Sequence, residues 1–141
     1  MNNQDLTRAA ALLYVCEGTK ERLDKRNGRY IYSIEFTNSD PKIIELFCRF
    51  LFRVIKVKKE KIRGQLFTYP DTRVERIKSY WSKISKIPID QFQKTIILKK
   101  KNYRFRPNPL GTFKVRYGSK TDFFRLKDMI GDVWKDFKIK G

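Results

Sequence analysis

The sequence predicts an α+β fold formed as one unit over residues 1–141, and three observations point to it. Apolar residues recur at spacings of three and four in several separate stretches, which is the helical period. Between those stretches lie runs in which apolar and polar residues alternate, the period of a half-buried strand. The chain is 40% hydrophobic and 14% aromatic, enough to bury a sizeable core despite 34% charged residues. No internal repeat or linker-like stretch divides it.

The first helix is expected over residues 5–16. Leu6, Ala10, Leu13, Tyr14 and Glu17 fall on one side of it, and Ala9, Leu12 and Cys16 on another. Both sides are largely apolar, so both are expected to be buried, and Gly18 ends the helix. A hairpin follows, with strands over 20–26 and 29–37 joined by Asn27-Gly28 as a type I′ turn. Along its second strand Tyr32, Ile34 and Phe36 alternate with Ser33 and Glu35, which predicts one buried and one wet face. Asp40 then reads as a helix N-cap with Pro41 at the first helical position. That helix carries Ile43, Phe47, Phe50, Leu51 and Val54. Residues 61–69 read as a strand closed by Pro70. A second capped helix follows Asp71, with Val74, Ile77, Trp81 and Ile84 on one stripe, and Ile87-Pro88 breaks it. Strands over 93–100 and 112–117 flank the irregular loop 104–109, where Tyr103 and Phe105 stand among basic residues. In the later strand Phe113, Val115 and Tyr117 point inward and Lys114 and Arg116 outward. A final amphipathic helix over 121–137 carries Phe123, Leu126, Ile130, Val133, Trp134 and Phe137. Trp81 and Trp134 both read as core residues.

Charge narrows the function. Thirty-three Lys and Arg oppose fifteen Asp and Glu, a formal charge of +18 and a pI near 10.1. Such an excess calls for a polyanion, most often nucleic acid. The excess is placed unevenly, because residues 1–50 are nearly neutral, whereas residues 91–121 contain nine bases and no acid. The outward strand positions Arg22, Arg29, Arg63, Lys114 and Arg116 are basic, which points to a sheet face, not a recognition helix, as the binding surface. Zero histidines exclude a His general base, a His metal ligand and a His-metal nuclease motif. Two cysteines, Cys16 and Cys48, make no disulfide framework and read as buried reduced thiols. The polar N-terminus and the short apolar run 9–16 predict a soluble, cytoplasmic chain without a membrane span.

The segment Ala10-Ala11-Leu12-Leu13-Tyr14-Val15-Cys16-Glu17-Gly18 resembles the motif of the LAGLIDADG homing endonucleases: an apolar helix rich in small residues that ends in an acid and a glycine. The hairpin with Asn27-Gly28 and the passage Phe36-Thr37-Asn38-Ser39-Asp40-Pro41 into an apolar helix resemble the compact members of that family. So do Tyr69-Pro70 before the Trp81 helix and Tyr117-Gly118-Ser119-Lys120 before the last one. The resemblance covers about residues 8–131. It departs at Leu12, where the family has Gly or Ala, at Glu17 in place of Asp, and in the helix around Trp81, which exceeds an αββαββα plan.

The resemblance implies an αββαββα-like arrangement with an extra helix and an antiparallel sheet forming a basic saddle on DNA. With one copy of the motif, the chain would act as a homodimer on a near-palindromic site. Ala9, Leu12, Leu13 and Cys16 would form the helix interface. The expected activity is divalent-metal-dependent cleavage of double-stranded DNA, with Mg²⁺ held by Glu17 beside Gly18. Asn38 matches a polar position near the metal, and Lys120 the basic residue before the final helix, a role that Lys94 or Lys99 would also suit. Lys20, Arg22, Lys25, Arg26, Arg29, Arg63, Gln65, Lys94, Lys99, Lys101, Arg104, Arg106, Lys114 and Arg116 are the expected DNA contacts. Neither a membrane nor a small-molecule substrate is expected. The alternatives are the same fold with cleavage lost, as a DNA-binding regulator or RNA maturase, and a basic RNA-binding module without a twofold axis.

Overall fold

The computed structural model describes residues 1–70, 73–99 and 109–140, and within them it has four α-helices and two sheets. Helix α1 (Asn3–Glu17) begins where the Asn2 side chain accepts the Asp5 N–H at 2.8 Å, two residues earlier than the apolar periodicity indicates. It buries one face only. Leu6, Ala10, Ala11 and Tyr14 are buried, Ala9, Leu12 and Leu13 are half-buried, and Cys16 is exposed. The expectation of two covered faces and two buried thiols therefore holds for Cys48 alone.

Strands β1 (Arg22–Asp24) and β2 (Arg29–Ile31) pair antiparallel as a small sheet of their own. The expected type I′ turn does not form. Such a turn needs positive φ at two successive residues, and here only Gly28 has it, at +69°. The Gly28 N–H reaches back to the Asp24 carbonyl at 2.9 Å and closes a four-residue loop 25–28, while Asn27 Oδ1 accepts the Arg29 N–H.

Strands β3 (Ser33–Asn38), β4 (Arg63–Thr68), β5 (Ile96–Ile97) and β6 (Thr112–Gly118) form the main sheet in the order β3-β6-β4-β5. The β3–β6 and β6–β4 pairs are antiparallel, but β5 runs parallel to β4. The sheet is thus mixed, and the strand expected over 93–100 shrinks to two residues. Helix α3 (Val74–Ser85) lies between β4 and β5 in the chain, as parallel neighbours require a long crossover.

Asp40 caps α2 (Pro41–Phe50) through the Lys42 N–H at 2.9 Å, with Pro41 at the first position as expected. The helix continues as a π-helical turn, Leu51–Ile55. Ile44, Phe47, Leu51 and Ile55 are fully buried, with Ile43 and Val54 at the margin. Phe47, Phe50 and Leu51 are buried as expected, whereas Ile44 and Ile55 take the places expected for Ile43 and Val54, and the wider π turn keeps Ile55 on the stripe. The cap expected at Asp71 falls outside the described residues; Arg73 precedes α3 without a side-chain cap. Helix α3 ends at Lys86, in left-handed geometry, just before Ile87-Pro88. Helix α4 (Lys120–Asp136) is capped by Ser119 and buries Phe123, Leu126 and Val133. Trp134, expected in the core, is only half-buried, and Phe137 is exposed.

Helices α1, α2 and α4 pack on the inner face of the sheet, where Ile34, Phe36, Leu66, Phe113, Val115 and Tyr117 are buried, and α3 packs on α2. Phe36 stacks on Phe47 with ring centroids 4.3 Å apart, and Trp81 on Phe113 at 5.2 Å with 5° between planes. Gly64 in β4 exists to admit the Phe113 ring. A Cβ there would overlap that ring and lie 3.1 Å from Phe92, while Trp81 blocks the retreat of Phe113. Gly64→Ala is therefore expected to destabilise the fold by about 1–3 kcal/mol through overpacking. Urea unfolding measures it, and an unchanged midpoint would refute the account of Phe113 as immobile.

Candidate nucleic-acid interface

The outer face of the sheet follows from strand alternation. Pairing aligns Glu35 with Arg116 and Arg116 with Arg63 in one row, and Thr37 with Lys114 and Lys114 with Gln65 in the next. Arg63, Lys114 and Arg116 thus share one surface, as the sequence indicated. Arg22 reaches it from the hairpin. Glu35 was expected to be wet; instead it is 1% exposed, roofed by cations, and Ser33 is buried as well.

Glu35 Oε2 accepts from Arg22 Nη1 at 3.0 Å. Its Oε1 lies 2.9 Å from Lys114 Nζ and 3.4 Å from Arg116 Nε, ionic contacts without the alignment of hydrogen bonds. Burial alone would raise the Glu35 pKa. Lys114 and Arg22, with Arg116 behind them, outweigh burial and hold the carboxyl below the ordinary glutamate value. One carboxylate against three cations leaves the cluster at +2. Side-chain exposures of 46% for Arg22, 19% for Lys114 and 32% for Arg116 keep these cations accessible from solvent. Arg116 Nη1 also donates to Gln93 Oε1 at 2.7 Å, which links the cluster to the segment before β5. The signal that would have found Glu35 is its place in the row: it is an acid opposite Arg116 on a face otherwise basic.

The remaining expected contacts divide into free and engaged groups. Lys25, Arg29, Lys94 and Lys99 are exposed, and Arg26, also exposed, pairs with Asp24 at 3.3 Å. Arg63 turns back to the Glu60 and Ile62 carbonyls at 2.7 and 3.0 Å, and Gln65 donates to the Lys94 carbonyl at 2.8 Å. Lys20 is engaged at the end of α1. Its ammonium donates to the carbonyls of Tyr14, Val15 and Gly18 at 3.0–3.2 Å and lies 5.4 Å from the Tyr14 ring centroid. It neutralises the negative end of the helix dipole. Lys101, Arg104 and Arg106 lie outside the described residues, as do Tyr103 and Phe105.

Around the end of α1 the chain is tightly joined to β3. A Cβ at position 18 would overlap the Tyr14 ring, so glycine is needed there, and Gly18 bridges Phe36 while the Thr19 N–H reaches the Glu35 carbonyl at 2.9 Å. Burial pushes the Tyr14 hydroxyl up to about 12, with the Glu35 backbone hydrogen bond opposing it, so Tyr14 stays neutral. The Glu17 carboxylate is exposed and makes no ion pair or hydrogen bond among the described residues. Gly18, the other expected metal ligand, already has its carbonyl on Lys20.

Asn38 ends β3, and its Oδ1 takes the Asp40 N–H at 2.8 Å in the turn into α2. Lys120 opens α4 with its ammonium 5.2 Å from the Tyr32 ring centroid. Tyr32 and Asn38 are six residues apart in extended chain, on the order of 20 Å. The Gly18–Phe36 bridge sets Glu17 toward the Asn38 end, away from Lys120. A single chain therefore brings Glu17 and Asn38 to one end of β3 and leaves Lys120 at the other.

Among the described residues no group of three or more His, Cys, Asp or Glu could hold a metal ion, and no helix is long and apolar enough to cross a membrane. No family model, curated protein or solved structure matches this chain.

Proposed function

We propose that this chain is a site-specific double-stranded DNA endonuclease of the LAGLIDADG type, acting as a homodimer joined along α1. One observation carries the reading: Glu17, a carboxylate in a chain of charge +18, stands exposed and, among the described residues, unpaired at the end of a helix whose outer stripe is only partly covered. That stripe is small or apolar, with Ala9, Leu12 and Leu13 half-buried and Cys16 exposed. Twofold packing along it would bring the C-terminal ends of the two helices together, and the two Glu17 side chains, which leave α1 on the Leu6–Ala10–Tyr14 side, would reach a shared ion by turning toward the axis.

The residues fit a divalent ion of the Mg²⁺ kind, which takes one or two carboxylates and fills its other positions with water and phosphate oxygens. Glu17 would hold it. When bound it would supply Lewis acidity at the phosphoryl oxygen and a more acidic water. The chain's own residues do the remainder. The Glu35 cluster and the exposed cations Lys25, Arg29, Lys94 and Lys99 would grip phosphates, and Gln65, in the row of Lys114, holds the Lys94 backbone beside the same face. Lys20 holds the α1 terminus rigid beneath Glu17 by joining three carbonyls.

The test is selection from a randomised duplex library with Mg²⁺, and in parallel with Ca²⁺. Cut ends flanking a near-palindromic site in Mg²⁺, and bound uncut duplex in Ca²⁺, are the expected result. Bound but uncut duplex with both ions would leave a DNA-binding protein without cleavage. No enrichment of duplex would remove DNA as the ligand.

A further inference from the structure

We infer that Glu35 is a positioning residue, which fixes Arg22, Lys114 and Arg116 as a fork for one phosphodiester group. The inference rests on the nucleic-acid reading above. It reverses the ordinary expectation for an acid on a DNA-facing surface, which is that it repels the ligand.

The argument starts from the strand register. Arg116 stands directly opposite Arg63 on β4, and Lys114 is two residues along the same strand, so like charges crowd one patch of sheet. Like charges placed directly across strands repel. Left to themselves, these long side chains would splay into water. Glu35 is opposite Arg116 on the other flank and draws them inward. Its two oxygens divide the work: Oε2 takes Arg22 from the hairpin, and Oε1 lies between Lys114 and Arg116 of β6. The carboxylate thereby ties the small hairpin sheet to the main sheet through a charged contact.

Donors remain available after this arrangement. A guanidinium has five N–H groups, and Arg22 directs one nitrogen, Nη1, at Glu35. Lys114 approaches Glu35 Oε1 at 2.9 Å, which engages one of its three N–H donors and leaves two for a ligand. Two cations that are held in place, partly exposed and incompletely hydrogen-bonded match a phosphodiester oxygen pair, which accepts charge-assisted bonds. Because their rotamers are already restricted by Glu35, little further ordering is needed on binding.

Glu35→Gln decides the matter because two effects of the change have opposite signs. It keeps the shape and raises the net charge by one, so long-range attraction alone predicts tighter binding. Loss of the anchor predicts weaker binding. Glu45→Gln is the control, since it removes a carboxylate paired with Arg49 on α2 and changes the net charge equally. Both variants and the unaltered chain would be titrated against a 20-bp duplex across a series of salt concentrations. Glu35→Gln is expected to bind about tenfold more weakly than the unaltered chain at moderate salt, as loss of a charge-assisted contact implies. Its plot of log affinity against log salt should be shallower by about 1, one lost phosphate contact removing about 0.9. Glu45→Gln should bind at least as tightly as the unaltered chain. If both variants bind alike, the positioning role is overturned while the nucleic-acid reading stands. If the unaltered chain binds no duplex, the reading itself falls and this inference with it. Should Glu35→Gln fail to fold, Arg22→Gln and Lys114→Gln carry the test through a double-mutant cycle. In a common fork the double variant loses less than the product of the single losses, and strictly multiplicative losses would overturn the fork.

Discussion

A Glu17→Gln chain is expected to bind duplex DNA as tightly as the unaltered chain and to cut it at least about 10³-fold more slowly. The side chain is exposed and makes no bond that the fold needs, so the amide changes neither packing nor the position of α1. The substitution also raises the net charge by one, and binding has no electrostatic reason to weaken. What it removes is the negative charge that a divalent cation requires, in both copies of a dimer at once. A loss of several kcal/mol of transition-state stabilisation corresponds to that factor, since about 1.4 kcal/mol is tenfold in rate. The measurement is single-turnover cleavage of the selected site, with binding followed separately in Ca²⁺. Equal cutting by both proteins would take Glu17 out of the chemistry. Lost binding would mean that Glu17 shapes the interface instead.

Trp81→Ala is expected to cost about 3–5 kcal/mol of folding free energy, a large share of the stability of an ordinary domain. The indole is fully buried, lies flat against Phe113 and donates its N–H to the Leu110 carbonyl at 2.6 Å. Phe113 is pinned in turn by Gly64 and Phe92. The hole left by the indole therefore has few neighbours free to fill it. Thermal unfolding should fall by roughly 10–20 °C. Trp81→Phe, which keeps a ring on Phe113 and loses the hydrogen bond, should cost distinctly less. A loss below about 1 kcal/mol for the alanine variant would show that α3 is peripheral, not part of the core.

Period and capping made much of the fold readable in advance. Asp40-Pro41 at the start of α2, the Val74–Ser85 helix broken before Pro88, and the alternation in β6 are all local signals, and each appears where local chemistry puts it. What escaped depends on partners distant in the chain. Glu35 reads as a wet strand residue because its neighbours in sequence are apolar or polar without charge; Lys114 and Arg116, about eighty residues later, bury it. At the hairpin, Asn27-Gly28 alone fits a two-residue loop, whereas pairing of Asp24 with Arg29 sets a longer one. The brevity and direction of β5 are likewise set by β4 and the crossover, not by the apolar run Ile96-Ile97-Leu98. At the candidate site, the position of Glu17 beyond the apolar part of α1 was legible. The distance between Lys120 and Asn38 was not, because it depends on which end of β3 each element meets.

The central place of β6 has a consequence for how the chain acquires its structure. Among the described residues β6 is the last strand in sequence, yet it lies between β3 and β4, and neither of those pairs with the other. During synthesis β3 and β4 leave the ribosome without the strand that joins them, and the edges they turn toward β6 stay unmatched until residues 112–118 arrive. Ser33 must then find Gly118 across more than eighty intervening residues, a closure with a large entropic cost. Assembly of the main sheet is therefore expected to wait until residues 112–118 have been made, with α1 and α2 shielding Ile34 and Phe36 in the interval. A product truncated before Thr112 would lack both α4 and the strand that joins β3 to β4, and among the described residues would hold only the β1–β2 hairpin and the two-residue β4–β5 pairing.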